Sequence, residues 1–247
     1  MSFLEVEKLC KSFGGLKAIN NLDFCVNEGE IIGIIGPNGS GKTTSLNLLT
    51  GFLKPDTGRI TFRGKDITGL ASYRICQKGI ARTFQLCKPF LDFTALQNVM
   101  VGRMYGNEPC KNLRTAELES REILGVVGLL SKAEITVRDL TVMERKRLEL
   151  ARALATKPAM LLLDELMAGL NLAEADETCK LITQIRDSKI TIIMVEHIVK
   201  AVTCVSDRII VLNMGEKIAE GSPEEIIHHP QVIDVYLGKS HAQYRQN

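Results

Sequence analysis

Along the first 64 residues, short apolar runs are broken by polar turn signals. Leu4–Leu9, Leu22–Val26, Ile31–Ile35 and Arg59–Arg63 read as β-segments, with Glu28-Gly29 and Asp56-Thr57-Gly58 as turns between them. After Ile35 comes a glycine-rich loop, then Lys42–Thr50, whose composition predicts a helix. From about Leu86 to Leu140 the pattern turns helical, with a helix expected over Ala95–Val101 and a longer one from about Leu113 to Leu130. Asn107-Glu108-Pro109 reads as the loop between them. From Thr141 the order becomes helix, strand (Met160–Leu163), helix (Ala173–Asp187), strand (Ile190–Val195), helix from His197 and strand (Arg208–Leu212). Strands that are continuous apolar runs and alternate with helices predict an α/β chain whose parallel sheet is covered on both faces.

Composition narrows the class. With 247 residues and 45% hydrophobic content, the chain can bury a substantial core. Its 31 basic and 29 acidic residues leave a net charge of +2, so no global basic field calls for nucleic acid as a partner. Seven cysteines are scattered without a CxxC pair, which predicts reduced, core-filling thiols in a cytosolic protein. The opening MSFLEVEKLCKSF lacks the apolar stretch of a signal peptide. No window reaches the ~18–20 apolar residues of a membrane span, so any membrane crossing is expected to fall to other subunits.

Gly36-Pro37-Asn38-Gly39-Ser40-Gly41-Lys42-Thr43 fits the pattern GxxxxGK[ST] and lies between an expected strand and an expected helix. Glycines there let backbone amides turn inward around the β- and γ-phosphates of a nucleoside triphosphate. The helix N-terminus adds its partial positive charge, and Lys42 adds a full one. The Thr43 hydroxyl is placed to ligate Mg²⁺, and Thr44 is counted with the nucleotide-binding loop. This pattern identifies triphosphate binding and leaves open what the energy does. A second feature lies 122 positions after Lys42, where the apolar run Met160–Leu163 ends in Asp164-Glu165. Ligands collect at the carboxyl ends of strands in open α/β sheets. Asp164 is therefore a candidate for holding Mg²⁺, directly or through water, and Glu165 for polarising the attacking water as general base.

Taken in order, these residues resemble the ATP-binding cassette (ABC) family over nearly the whole chain. Ala168-Gly169-Leu170-Asn171 stands in the place of the family's D-loop, and Val195-Glu196-His197 in that of its H-loop, with His197 as a catalytic candidate. Arg82-Thr83-Phe84-Gln85 occupies the Q-loop place, where the family's glutamine contacts Mg²⁺ and water and senses the transmembrane partner. Phe13 matches the aromatic that stacks on adenine. The resemblance implies a P-loop NTPase cassette with a mostly parallel core sheet, an antiparallel β subdomain and a helical subdomain inserted at about 86–140. Residues 1–247 would form a single ATP-binding domain.

More narrowly, Lys78–Gln85, Gln97–Gly102, Arg147–Thr156 and Val235-Tyr236-Leu237-Gly238 look like ATP-binding subunits of branched-chain amino acid importers. That likeness implies ATP hydrolysis coupled to import at the cytoplasmic face of the inner membrane. It implies permease subunits and a second cassette subunit as partners, and a periplasmic or extracellular solute-binding protein indirectly. Two alternatives stay open: a lipopolysaccharide-type exporter ATPase, or a cassette that binds ATP with little turnover. Only about 55 residues separate Gln85 from Leu140, too few for the coiled coil that splits chromosome-type cassettes. The single phosphate loop argues against translation-associated proteins, which carry two.

The chain departs from the family's LSGGQ signature, showing Leu140-Thr141-Val142-Met143-Glu144 instead. Both glycines are gone. Thr141 and Glu144 are spaced as a capping box, so a helix is still expected to start there, with its first donors satisfied internally and an anion presented. Leu166 replaces the proline usual after Asp-Glu, and Asn171 stands where the D-loop normally has Asp.

Overall fold

The computed structural model describes residues 2–85, 88–196 and 202–236. The chain divides into two compact units, one of residues 1–70 and 167–247, the other Ala71–Leu166.

In the first unit, an antiparallel sheet is built from β1 (Leu4–Phe13), β2 (Leu16–Val26), β4 (Thr57–Phe62) and β5 (Lys65–Asp66), in the order β2-β1-β4-β5. The expected strands at Leu4–Leu9 and Leu22–Val26 prove to be the inner halves of two longer ones. Lys11, Ser12 and Phe13 continue β1 by pairing with Ile19, Lys17 and Leu16. Those outer halves are polar or half-exposed, so hydrophobic patterning alone did not mark them. The same unit holds β3 (Ile31–Ile35), β8 (Thr191–Val195) and β9 (Arg208–Asn213), with β3 parallel to both neighbours. Every residue of β3 and β8 is buried, as continuous apolar runs require of a sheet covered on two faces. β10 (Glu216–Gly221) closes this group by pairing antiparallel with β9. Its polar composition hid it from the sequence reading.

Helix α1 (Lys42–Leu49) follows β3. Helix α6 (Leu172–Asp187) starts on Asn171, whose side chain accepts from the Glu174 amide in a reciprocal capping box. That gives a local structural reason for an Asn in the D-loop place. Helix α7 (Pro223–His228) starts in the same way from Ser222 and Glu225. The helix expected from His197 lies outside the described residues.

The second unit combines helices with two parallel strands, β6 (Ile80–Arg82) and β7 (Met160–Asp164). Its helices are α2 (Ser72–Gln77), α3 (Ala95–Tyr105), α4 (Leu113–Val126) and α5 (Val142–Ala155), with α3 packed on both α4 and α5. This compact unit begins before residue 86 and ends after 140, because β6, α5 and β7 pack within it as well. Among the described residues, no helix is long and apolar enough to cross a membrane.

Candidate nucleotide site

The phosphate loop leaves β3 at Ile35 and enters α1 at Lys42. Two of its glycines are fixed by close approach. A Cβ on Gly36 would lie 2.2 Å from the Leu212 carbonyl oxygen, and one on Gly41 would lie 2.7 Å from that of Ala18. Gly41 also has φ 107°, a conformation that L side chains rarely adopt. The turn between β9 and β10 braces the loop, with the Gly215 amide donating to the Ser40 carbonyl at 3.0 Å. Lys42 is 4% exposed, and its ammonium donates to the carbonyls of Gly36 at 2.8 Å and Pro37 at 3.0 Å. Ser40 Oγ is buried without a hydrogen-bond partner. Asn38, Gly39 and Thr43 are exposed, while Pro37 and Thr44 are half-buried. A loop with no room for a Cβ at Gly36 or Gly41, a lysine resting on its own carbonyls and an exposed threonine at the helix start fit a polyphosphate.

Phe13 ends β1 and is 47% exposed, and the Lys11 ammonium lies 5.7 Å from the ring centroid. Lys11 is itself anchored to Asp56 at 2.7 Å. An exposed aromatic beside a tethered cation leaves a ring face available for stacking.

In the second unit, the end of β7 carries Asp164 and Glu165, 3% and 8% exposed. One oxygen of Asp164, Oδ2, accepts from Arg82 at 2.6 Å, and the Asp164 amide donates to Thr83 Oγ1 at 3.2 Å. Its other oxygen, Oδ1, is buried and has no hydrogen-bond partner. A carboxylate with one oxygen in a buried ion pair and the other unsatisfied fits an additional cation or its water. Glu165 adopts φ 51°, uncommon for a non-glycine residue. Gln85 donates to Glu165 Oε2 at 2.5 Å. The structure thus brings Gln85 to the general-base candidate. In the sequence, Arg82 and Thr83 stand out only as part of the Q-loop run. Their support of Asp164 comes from parallel pairing of β6 with β7, which no local signal marks.

Met167 donates its amide to Glu196 at 2.7 Å, which ties the segment after Glu165 to the end of β8. Leu166 is 8% exposed, and its carbonyl accepts from the Lys146 ammonium at 3.3 Å. Its side chain fills core. His197 lies outside the described residues.

The signature segment folds as its spacing predicts. Thr141 Oγ1 accepts the Glu144 amide at 3.2 Å, and Glu144 Oε2 accepts the Thr141 amide at 2.8 Å. The hydrogen bond from the Thr141 amide holds the Glu144 carboxyl below its usual range, and Lys132 lies 3.6 Å away. Val142 is 74% exposed at the helix start.

A third feature is apolar. Asn98, fully buried, pins the turn before α3 by accepting from the Phe90 amide and donating to the Phe90 and Thr94 carbonyls. Phe90, Leu91 and Phe93 stand 46%, 41% and 43% exposed on that turn.

A glycine-rich loop between a buried parallel strand and a helix, with an acidic pair closing another parallel strand, defines a P-loop nucleotide-binding protein. The chain belongs to the ABC transporter family, whose model matches residues 19–168. Residues 216–242 match a second model, described as branched-chain amino acid ATP-binding cassette transporter. A high-affinity branched-chain amino acid transport ATP-binding protein of Pseudomonas aeruginosa is 39% identical, with 96% of this chain and 98% of that protein covered. The corresponding protein of Salmonella typhimurium is 40% identical over the same shares. Among solved structures, a nucleotide-free ATP-binding cassette from an ABC transporter superimposes with a TM-score of 0.87 at 32% identity. It covers 96% of this chain and 99% of its own. An ATP-binding cassette in its ADP conformation matches equally well.

Proposed function

We propose that this chain is the ATP-hydrolysing subunit of an importer for branched-chain amino acids or similar solutes, acting at the cytoplasmic face of the membrane. The observation that carries this reading is likeness over 96% of the chain, including the C-terminal segment 216–242, to cassettes of that transport class. In this reading Phe13 stacks on adenine, while Gly36, Pro37, Asn38, Gly39, Ser40, Gly41, Lys42, Thr43 and Thr44 hold the phosphates. Mg²⁺, when bound, would neutralise phosphate charge, and Thr43, Gln85 and Asp164 are the residues assigned to it. The chain's own contribution to chemistry is positioning and proton transfer. Lys42 exchanges its loop carbonyls for phosphate oxygens. Glu165 accepts the proton of the attacking water, and Gln85 orients that carboxylate through the bond to Oε2. His197 is assigned a catalytic role by its place after β8.

The partners in this reading are permease subunits, a second cassette subunit and, indirectly, a solute-binding protein. The exposed Phe90, Leu91 and Phe93 supply the permease-docking face, since clustered exposed apolar groups mark interfaces. In a head-to-tail cassette dimer, the Thr141–Glu144 box would face the partner's nucleotide. Its inward-bonded donors and fixed negative charge make it a weak γ-phosphate grip, so turnover is assigned mainly to the site built on Lys42 and Glu165.

The test is reconstitution with the permeases and binding protein in vesicles containing Mg²⁺-ATP. Leucine uptake that is lost in Lys42→Ala supports the reading. ATP-dependent export from the vesicle interior, or ATP hydrolysis that no branched-chain amino acid stimulates, would refute it.

A further inference from the structure

Parallel pairing sets Arg82 of β6 opposite Leu162 of β7, and the guanidinium reaches along β7 to Asp164. The two side chains are 5% and 2% exposed. The Phe84 ring lies 5.1 Å from the guanidinium carbon, which limits how that plane can turn. Thr83 holds the Asp164 backbone through its amide. Asp164 is therefore fixed from two sides, by its main chain and by Oδ2. Asp164 Oδ1 is buried and unsatisfied, as is Nε of Arg82 itself.

We propose that Arg82 is a positioning residue for the magnesium site. It ties down Oδ2 so that Oδ1 is the oxygen offered to the metal or its bound water. It also keeps the buried carboxylate compensated when no metal is present. This rests on the reading of Asp164 as the metal-side carboxylate. The physical basis is that Mg²⁺ demands near-octahedral geometry and punishes a wandering ligand. A planar donor on one carboxylate oxygen fixes the direction of the other, and a flexible ammonium does so less well. Residues that orient a metal ligand typically contribute about 10–100-fold to metal affinity.

The experiment is calorimetric titration of the full chain with ATP, once in Mg²⁺ and once in EDTA, giving the ratio of the dissociation constant in EDTA to that in Mg²⁺. Arg82→Met and Arg82→Lys are compared with Asp164→Asn. The expected result for Arg82→Met is an EDTA affinity like that of the wild type, since the phosphate loop is untouched. The Mg²⁺-dependent ratio should fall about 10–100-fold. Arg82→Lys should fall between, keeping the charge and losing the planar donor that now reaches Oδ2 through Nη2. A ratio that rises in Arg82→Met would mean that Arg82 competes with the metal as a counterion, which overturns the proposal. So would an unchanged ratio alongside a collapsed one in Asp164→Asn, which would leave Arg82 a purely structural ion pair. An unchanged ratio in Asp164→Asn refutes the underlying assignment of Asp164 instead. Where Arg82→Met does not fold, Arg82→Lys decides: a reduced ratio supports positioning, and an unchanged one overturns it.

Discussion

Replacing Glu165 by Gln changes one atom and separates chemistry from structure. The amide keeps the volume of the carboxylate and an acceptor oxygen for Gln85, now bonded at 2.5 Å. The backbone at φ 51° suits Gln no worse than Glu, so the strain there is unchanged. At the bond to the exposed Gln85 the fold loses only charged character, about 1 kcal/mol. What the reaction loses is the proton acceptor. Removing a general base typically costs about 10²- to 10⁴-fold, which at about 1.4 kcal/mol per decade is roughly 3–5 kcal/mol of barrier. The expected outcome is ATP affinity near wild type, a melting temperature within about 4 °C, and phosphate release reduced at least a hundredfold. The assay is phosphate release by purified protein, with Lys42→Ala as the blank for contaminating ATPase, beside thermal unfolding and equilibrium ATP binding. Glu165→Gln protein that hydrolyses ATP within a few-fold of wild type would refute the assignment of the base. So would a loss of rate that merely follows a loss of ATP binding.

Gly41→Ala places a Cβ 2.7 Å from the Ala18 carbonyl at φ 107°, so ATP binding measured by titration should weaken by at least tenfold. Thr141→Ala removes the α5 cap and should lower stability by about 0.5–2 kcal/mol in denaturant unfolding. Glu144 has a depressed folded pKa, so its stabilisation is present above its ordinary 4.5 and is lost as pH falls through the folded value. The stability gap between wild type and Glu144→Gln should therefore close in acid. Glu149 behaves oppositely. Burial raises its pKa, although Arg152 and the Phe84 amide oppose the rise, so wild type should lose stability relative to Glu149→Gln as pH climbs from 4.5 through the folded value.

Local chemistry made much of this chain legible from sequence alone. The phosphate loop could be read because its glycines answer a backbone demand that is the same wherever the loop occurs, and Gly36 and Gly41 meet that demand by close approach. The buried runs Ile31–Ile35 and Met160–Asp164 could be read because strands covered on both faces must be apolar throughout. The capping box at Thr141 and Glu144 could be read because its two hydrogen bonds span three residues and need no other part of the chain. Other features depended on residues far apart in sequence. Polar β10 is a strand only because β9 offers it an edge, and the outer half of β1 only because Leu16, Lys17 and Ile19 fold back beside it. Asp164 and Glu165 announced themselves as carboxylates at a strand end, but not what holds them. Arg82 reaches Asp164, and Gln85 reaches Glu165, across 82 and 80 positions of sequence. Those contacts exist because β6 lies parallel to β7, a choice made by packing and main-chain pairing rather than by the motif.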